Sequence, residues 1–310
     1  MKIVGLMPVR NESWILGLSA RAALLWCDDL VIALHACSDE SSQIAYQVAI
    51  ETGRVLTQRF EGEWNEMEHR QVLLDHARAM DASHIAIIDA DEILTGALLP
   101  SIRGIVESLP VGSILQPSIF NIRENPCAPD RLQFHASGLW ANRVASLAFR
   151  DDARLGWRGE TFHHREPFGM PLKPWKPREE GGIIHFWAAN ERRHRAKHAL
   201  YKCVERLKFP HKRITEIDQY YNQGVYGVKV PNLAPPVPET FRAVPPEWLL
   251  PYAHLMQHLH LDAEPWQEAE VRRLIAEHGA EKFAGLDLFG VAGAPLTKDI
   301  IASEAAPHQT

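Results

Sequence analysis

The chain has 310 residues, 46% of them hydrophobic, with 33 basic and 39 acidic side chains and a formal charge of −6. That is enough apolar material for one large domain with an extension or for two domains. The acidic balance argues against a nucleic-acid binder, which would carry a basic footprint, and the lack of any apolar run near 18 residues argues against a membrane-spanning helix.

The first strand is expected over residues 2–7, stopped by Pro8. Asn11-Glu12-Ser13 offers a helix cap, and residues 14–26 carry helical apolar spacing at Leu16, Ala20, Ala23 and Leu24. A second short strand over 30–34 leads into the polar loop Ser38-Asp39-Glu40-Ser41-Ser42 and a helix over 43–52. A third strand over 54–59 precedes a helix over 66–80 with apolar residues at Met67, Val72, Leu73, Ala77 and Met80. Residues 85–88 form a fourth strand. Strands alternating with helices at this spacing imply βαβ units, hence an α/β fold with a mixed, mostly parallel sheet flanked by helices.

A helix over 102–109 and a strand over 113–121 follow. Residues 125–182 are rich in Pro, Gly, Trp, His and Arg, and read as loops and short strands, such as 144–149, over a site. A strand over 182–187 precedes a basic helix over 191–207. Seven prolines within 231–251 make a stiff connector, and helices over 248–260 and 265–278 belong to a small terminal appendage. The expected division is a main domain over 1–230, the connector over 231–251 and a helical C-terminal extension over 252–310. Cys27, Cys37, Cys127 and Cys203 form no C-x-x-C pair, and residues 1–8 lack the apolar core and cleavage site of a secretory signal. Both features fit a soluble cytoplasmic protein with reduced thiols.

Chemistry concentrates at His84-Ile85-Ala86-Ile87-Ile88-Asp89-Ala90-Asp91-Glu92. A buried strand ends there in three carboxylates that no apolar core tolerates unpaired. On an extended backbone Asp89 and Asp91 share one side, and two hard oxygen ligands suit Mg²⁺ or Mn²⁺, which in turn can hold a diphosphate. In open parallel sheets ligands bind outside such strand ends.

These residues resemble the family 2 glycosyltransferases of the GT-A fold over roughly the first 200 positions. The resemblance rests on Pro8-Val9-Arg10-Asn11-Glu12 after the first strand, Ser38-Asp39-Glu40-Ser41 after the second, Glu68-His69-Arg70-Gln71 opening a helix, and above all Ile87-Ile88-Asp89-Ala90-Asp91-Glu92-Ile93-Leu94, a D-x-D-E strand end. Two departures fall on the nucleotide side: His35 stands where the family commonly has an acid, and His69-Arg70-Gln71 where Ala-Arg-Asn is common.

The resemblance implies a UDP-, TDP- or GDP-sugar donor, a divalent metal, and a glycan, lipid-linked or protein acceptor. It implies a direct metal contact from Asp91, a contact from Asp89 to the ribose or through a metal-bound water, and a further metal contact from His185, which ends an apolar strand; the other reading of His185 is a buried histidine bonded to backbone. Pro8, Arg10, Asn11, Glu12, Asp39, Arg70 and Asp89 fall on the nucleotide side, although Asn11 and Asp39 also suit helix capping and Arg70 a solvated helix face. Inverting transfer needs a base near the acceptor. Glu160 is the candidate, with Asp151, Asp152 and Glu166 as competitors. Trp140, Trp157 and Trp187 suit either sugar stacking or the core, and the basic stretch 191–198 suits either a diphosphate or solvent. A nucleotidyltransferase would show a Gly-rich basic loop after the first strand, which is absent. A zinc hydrolase would show H-E-x-x-H, also absent. A non-catalytic nucleotide-binding module on the same fold is the remaining alternative.

Overall fold

A computed structural model describes residues 1–125, 127–128, 131–159, 164–176, 181–226 and 239–291. The chain forms two compact units. One comprises Met1–Ala136, Trp140–Trp187 and Phe241–Leu261; the other takes the described residues of Ser137–Leu139, Ala188–Thr240 and Asp262–Thr310.

The first unit begins with β1 (Ile3–Val9), α1 (Leu16–Ala23), β2 (Asp29–His35), α2 (Ser41–Thr52), β3 (Val55–Phe60), α3 (Glu66–Ala79) and β4 (His84–Ile87). After β4 come β5 (Glu92–Leu94), α4 (Ile102–Glu107), β6 (Ser113–Leu115), β7 (Ser118–Glu124), β8 (Leu132–Ser137), β9 (Arg143–Val144), β10 (Ala148–Arg150), β11 (Lys173–Trp175) and β12 (Gly182–Ala188). Seven strands form a sheet in the order β11-β6-β10-β4-β1-β2-β3, in which β1 to β4 are parallel and β10 runs antiparallel to both β4 and β6.

The βαβ expectation holds for a physical reason visible strand by strand. Ile3, Met7 and Val9 of β1, Leu30, Ile32 and Leu34 of β2 and Ala86 of β4 pack on one face with residues of α1, α2 and α4. Val4 and Leu6, Val31 and Ala33, Ile85 and Ile87 pack on the other with Met67, Leu73, Leu74 and Ala77 of α3. Strands buried on both faces read as continuous apolar runs. Pro8, however, does not stop β1. Pairing with β4 ends at Leu6 while pairing with β2 continues to Val9, so beyond Leu6 the strand has a neighbour on one side only, where a proline is tolerated.

The expected strand over 113–121 is two strands, β6 and β7, broken at Gln116-Pro117. The break lets the chain change sheets: β6 lies in the first, whereas β7 lies in a second sheet ordered β13-β8-β7-β12-β5. The last strand of that sheet is β13 (Thr240–Ala243), followed by α7 (Pro246–Leu249) and a 3₁₀ helix over Leu250–His258.

The proline-rich connector therefore needs correction, and its residues 231–238 lie outside the described ones. Residues 240–251 are structured: Trp248 packs 4.3 Å from Phe120 and 5.1 Å from Phe134, ring centre to ring centre. The 3₁₀ helix, whose residues from 252 on were expected in the extension, packs instead on α1, with His260 N–H donating to Trp14 O at 2.7 Å.

The second unit holds α5 (Glu191–Lys208), α6 (Ile214–Tyr226) and α8 (Trp266–His278) around a core of Ala196, Ala199, Leu200, Cys203, Ile217, Val271, Leu274 and Phe289. Its boundary at 188 replaces the one expected at 230, because the apolar stripe of α5 is covered by α6 and α8. Among the described residues no helix is long and apolar enough to cross a membrane, and all four cysteines are unpaired.

Candidate active site

β1, β2 and β4 end on one side of the first sheet, and strand order reverses at β1, which has β2 on one flank and β4 on the other. Outside such a reversal open α/β sheets form their ligand crevice. The link from β4 in the first sheet to β5 in the second lies here. Glu92 N–H donates to Asp89 O at 3.1 Å and Asp89 N–H to Glu92 Oε2 at 3.2 Å. The segment is thus a tight turn, not the straight strand end expected.

The turn sends its acids to different partners. Asp89 Oδ1 accepts from Arg70 Nη2 at 3.2 Å and Oδ2 from Arg165 Nη1 at 2.9 Å. Glu92 accepts from the same Arg165 guanidinium at both oxygens, each at 2.7 Å. Arg165 also donates to the Ile87 and Ser146 carbonyls, each at 2.6 Å. Asp91 points elsewhere, with Oδ2 3.5 Å from His185 Nε2. The antiparallel register of β12 on β5 sets His185 opposite Glu92, and Phe186 N–H donates to Asp91 O at 2.9 Å.

Burial raises the Asp89 carboxyl, but Arg165 and Arg70 together outweigh it and hold it below its ordinary value. Burial equally opposes the Arg165 cation, and Glu92 and Asp89 more than restore it, raising its pKa. Asp89 as a direct metal ligand therefore does not fit this structure: each oxygen already meets a guanidinium, because the turn rotates it away from Asp91. Asp91 with His185 does fit. A carboxylate oxygen and an imidazole nitrogen face each other across a gap wider than a short charge-assisted hydrogen bond of about 2.8 Å. Among the described residues no three His, Cys, Asp or Glu side chains converge as a metal cluster. Two protein ligands accord with Mg²⁺-like ions, which take one or two side chains and leave other positions to water and phosphate oxygens.

The residues expected on the nucleotide side prove to knit the loops after β1 and β2 together. Asn11, in the left-handed region at φ 56°, accepts at Oδ1 from Ser38 N–H at 2.7 Å and Asp39 N–H at 3.2 Å. Asp39 accepts from Ser13 and Ser41 N–H at 3.0 and 2.9 Å, and Glu12 Oε2 accepts from Trp14 Nε1 at 2.6 Å. Asn11, Glu12 and Asp39 thus shape the crevice wall. Pro8 lies within β1, and Arg10 follows it, close enough for its charge to act on His35. Arg70, on α3, is buried between Glu66 and Asp89.

His35 donates from Nε2 to Gly62 O at 3.0 Å and packs with Trp64 and His69, ring centres 5.0 and 4.9 Å away. Glu160 lies outside the described residues. Its competitors are engaged: Asp151 by Arg78, Asp152 by Arg154, and Glu166 by Ser146 Oγ at 2.5 Å and Gln116 at 2.9 Å. Trp157 is core, while half-buried Trp187 and Trp140 pack 4.8 Å apart beside His185. In the basic stretch of α5, Arg192 pairs with Glu264 and Glu268 and Arg195 with Glu191.

No protein-family model matches the sequence, and no curated protein matches it. Among solved structures the chain is similar to S. aureus TarS 1–349, at a TM-score of 0.41 and 12% identity, covering 91% of this chain and 88% of that one. It is similar to the mannosyltransferase PcManGT from Pyrobaculum calidifontis in complex with GDP-Man and Mn²⁺, at a TM-score of 0.40 and 13% identity, covering 97% and 79%. The match to S. aureus TarS 1–349 in complex with UDP, at a TM-score of 0.32 and 14% identity, covers 41% of this chain and only 37% of that one. At these scores the function rests on the site's own residues.

Proposed function

We propose that the chain is a metal-dependent glycosyltransferase of the GT-A type, moving a sugar from a nucleoside-diphosphate donor to an acceptor hydroxyl. The observation that carries this reading is the Asp91–His185 pair at the strand-order reversal, flanked by a turn whose other acids are locked by Arg70 and Arg165. Asp91 and His185 would hold Mn²⁺ or Mg²⁺, which when bound would offset the charge gathering on the departing diphosphate. Arg165 and Arg70 keep Asp89 ionised, and Arg165 holds Glu92 in place, so the turn presents Asp91 without rearranging. Asn11 and Asp39 hold the two loops that would bracket the nucleoside. Glu160 remains the proposed base, consistent with Asp151, Asp152 and Glu166 being occupied elsewhere.

Calorimetry with Mn²⁺ and UDP, TDP or GDP tests this. At least one nucleotide is expected to bind in a Mn²⁺-dependent manner, and Asp91→Ala to remove that dependence while the circular dichroism spectrum stays unchanged. Binding that is identical with and without Mn²⁺ in the wild-type protein would end the metal assignment.

A further inference from the structure

We propose that Asn121 is a positioning residue that fixes His185 with its proton on Nδ1, so that Nε2 is the nitrogen offered beside Asp91. This rests on the transferase reading above and concerns how the chain prepares its own imidazole. Asn121 lies on β7, the neighbour of β12 in the second sheet, and is 6% exposed. Its Nδ2 donates to the Trp140 carbonyl at 3.1 Å, and its Oδ1 is 2.9 Å from His185 Nδ1.

A backbone carbonyl only accepts, so only one orientation of the amide serves both partners. Oδ1 therefore faces the ring, and since it cannot donate, His185 Nδ1 must carry the hydrogen. In the neutral ring held this way Nε2 carries the lone pair, and it is the atom 3.5 Å from Asp91 Oδ2. Without Asn121 a neutral imidazole could place its hydrogen on Nε2 and present no lone pair to a cation. The ring is also held from the side: Trp187 lies nearly parallel to it, at 20° and 6.3 Å between centres. The Trp140 ring packs on Trp187, so the residue whose carbonyl orients Asn121 also braces the stack. Outer partners of this kind fix both tautomer and ring direction in metal-ligating histidines.

Nitrogen-15 NMR of histidine-labelled, metal-free protein at about pH 8, above the ordinary histidine range, reads the tautomer directly, with His185→Gln identifying the signal. Wild-type His185 is expected as the Nδ1–H form. Asn121→Leu is expected to shift it toward the Nε2–H form and to weaken Mn²⁺ binding, measured by calorimetry, about 10- to 100-fold. Asn121→Asp keeps the acceptor and is expected to keep the Nδ1–H form. An Nε2–H wild-type protein would overturn the proposal, and so would Asn121→Leu binding Mn²⁺ as tightly as wild type. The wild-type tautomer needs no variant to fold. A wild-type protein that shows Nδ1–H yet binds no Mn²⁺ would overturn the ligand role and the metal reading, while leaving the Asn121 contact intact.

Discussion

At the crevice edge His69 packs 4.3 Å from Phe60 and 4.9 Å from both His35 and Trp64. Burial, with His35 adding to it, pushes the His69 pKa down from 6.5 to about 4. Burial and then Arg10 lower His35 as well. The folded state therefore takes up the His69 proton later than the unfolded state does. Stability from this group is complete above pH 6.5, falls as the pH drops through the window down to about 4, and changes no further below it. His135, pushed down to about 4 by burial and Arg123, acts over the same window. The urea midpoint is expected to fall steadily across that range, and less steeply in His69→Phe, which keeps a ring and cannot titrate. An equal slope in the variant would show that His69 is not held neutral by the fold. Arg165 teaches the complementary lesson at this scale. Three acids at a buried strand end require a cation, so the need was legible in the sequence. The partner was not, because it arrives from 76 positions beyond Asp89.

At the scale of elements, the strands buried on both faces were legible because nothing polar interrupts them. The turn after β4 was not, since a two-residue period holds only while the backbone stays extended. For the same reason the sequence grouped Asp89 with Asp91, whereas the fold separates them. Proline density hid β13, because an edge strand accepts prolines in its flanks. What finally brings His185 to Asp91 is the seating of β12, and glycine decides it. A Cβ on Gly182 would sit 2.0 Å from Ser118 O, a backbone atom that cannot turn aside. Gly182→Ala is expected to push β12 off β7, lower stability by about 1–3 kcal/mol as overpacking does, and weaken Mn²⁺ binding by separating the two proposed ligands. Urea unfolding and calorimetry on the same sample check it. A variant that loses stability but keeps full Mn²⁺ affinity would show that the Asp91–His185 spacing does not depend on this seating.

At the scale of the whole molecule, each unit has its own apolar core, and the cores draw on different segments. The second unit adds a polar lock. Lys202, fully buried, donates to Asn222 Oδ1 at 2.5 Å and Asp287 O at 2.6 Å. It pairs with Asp218 at 2.8 Å and lies 4.0 Å from the centre of the Phe289 ring. Burial lowers the Lys202 pKa and raises that of Asp218, each partly offset by the other. Lys202→Met keeps the apolar stem and deletes the cation, leaving the Asp218 carboxylate buried without it, a change that costs about 3–5 kcal/mol when a buried pair is broken. Because the cores are separate, the loss is expected to appear locally. Hydrogen exchange should accelerate along α5, α6 and α8, while amides of β1 to β4 keep their protection and Mn²⁺-dependent nucleotide binding is unchanged. Acceleration throughout the first sheet would mean that the two cores unfold as one cooperative body, and the division at residue 188 would then describe contacts without describing stability.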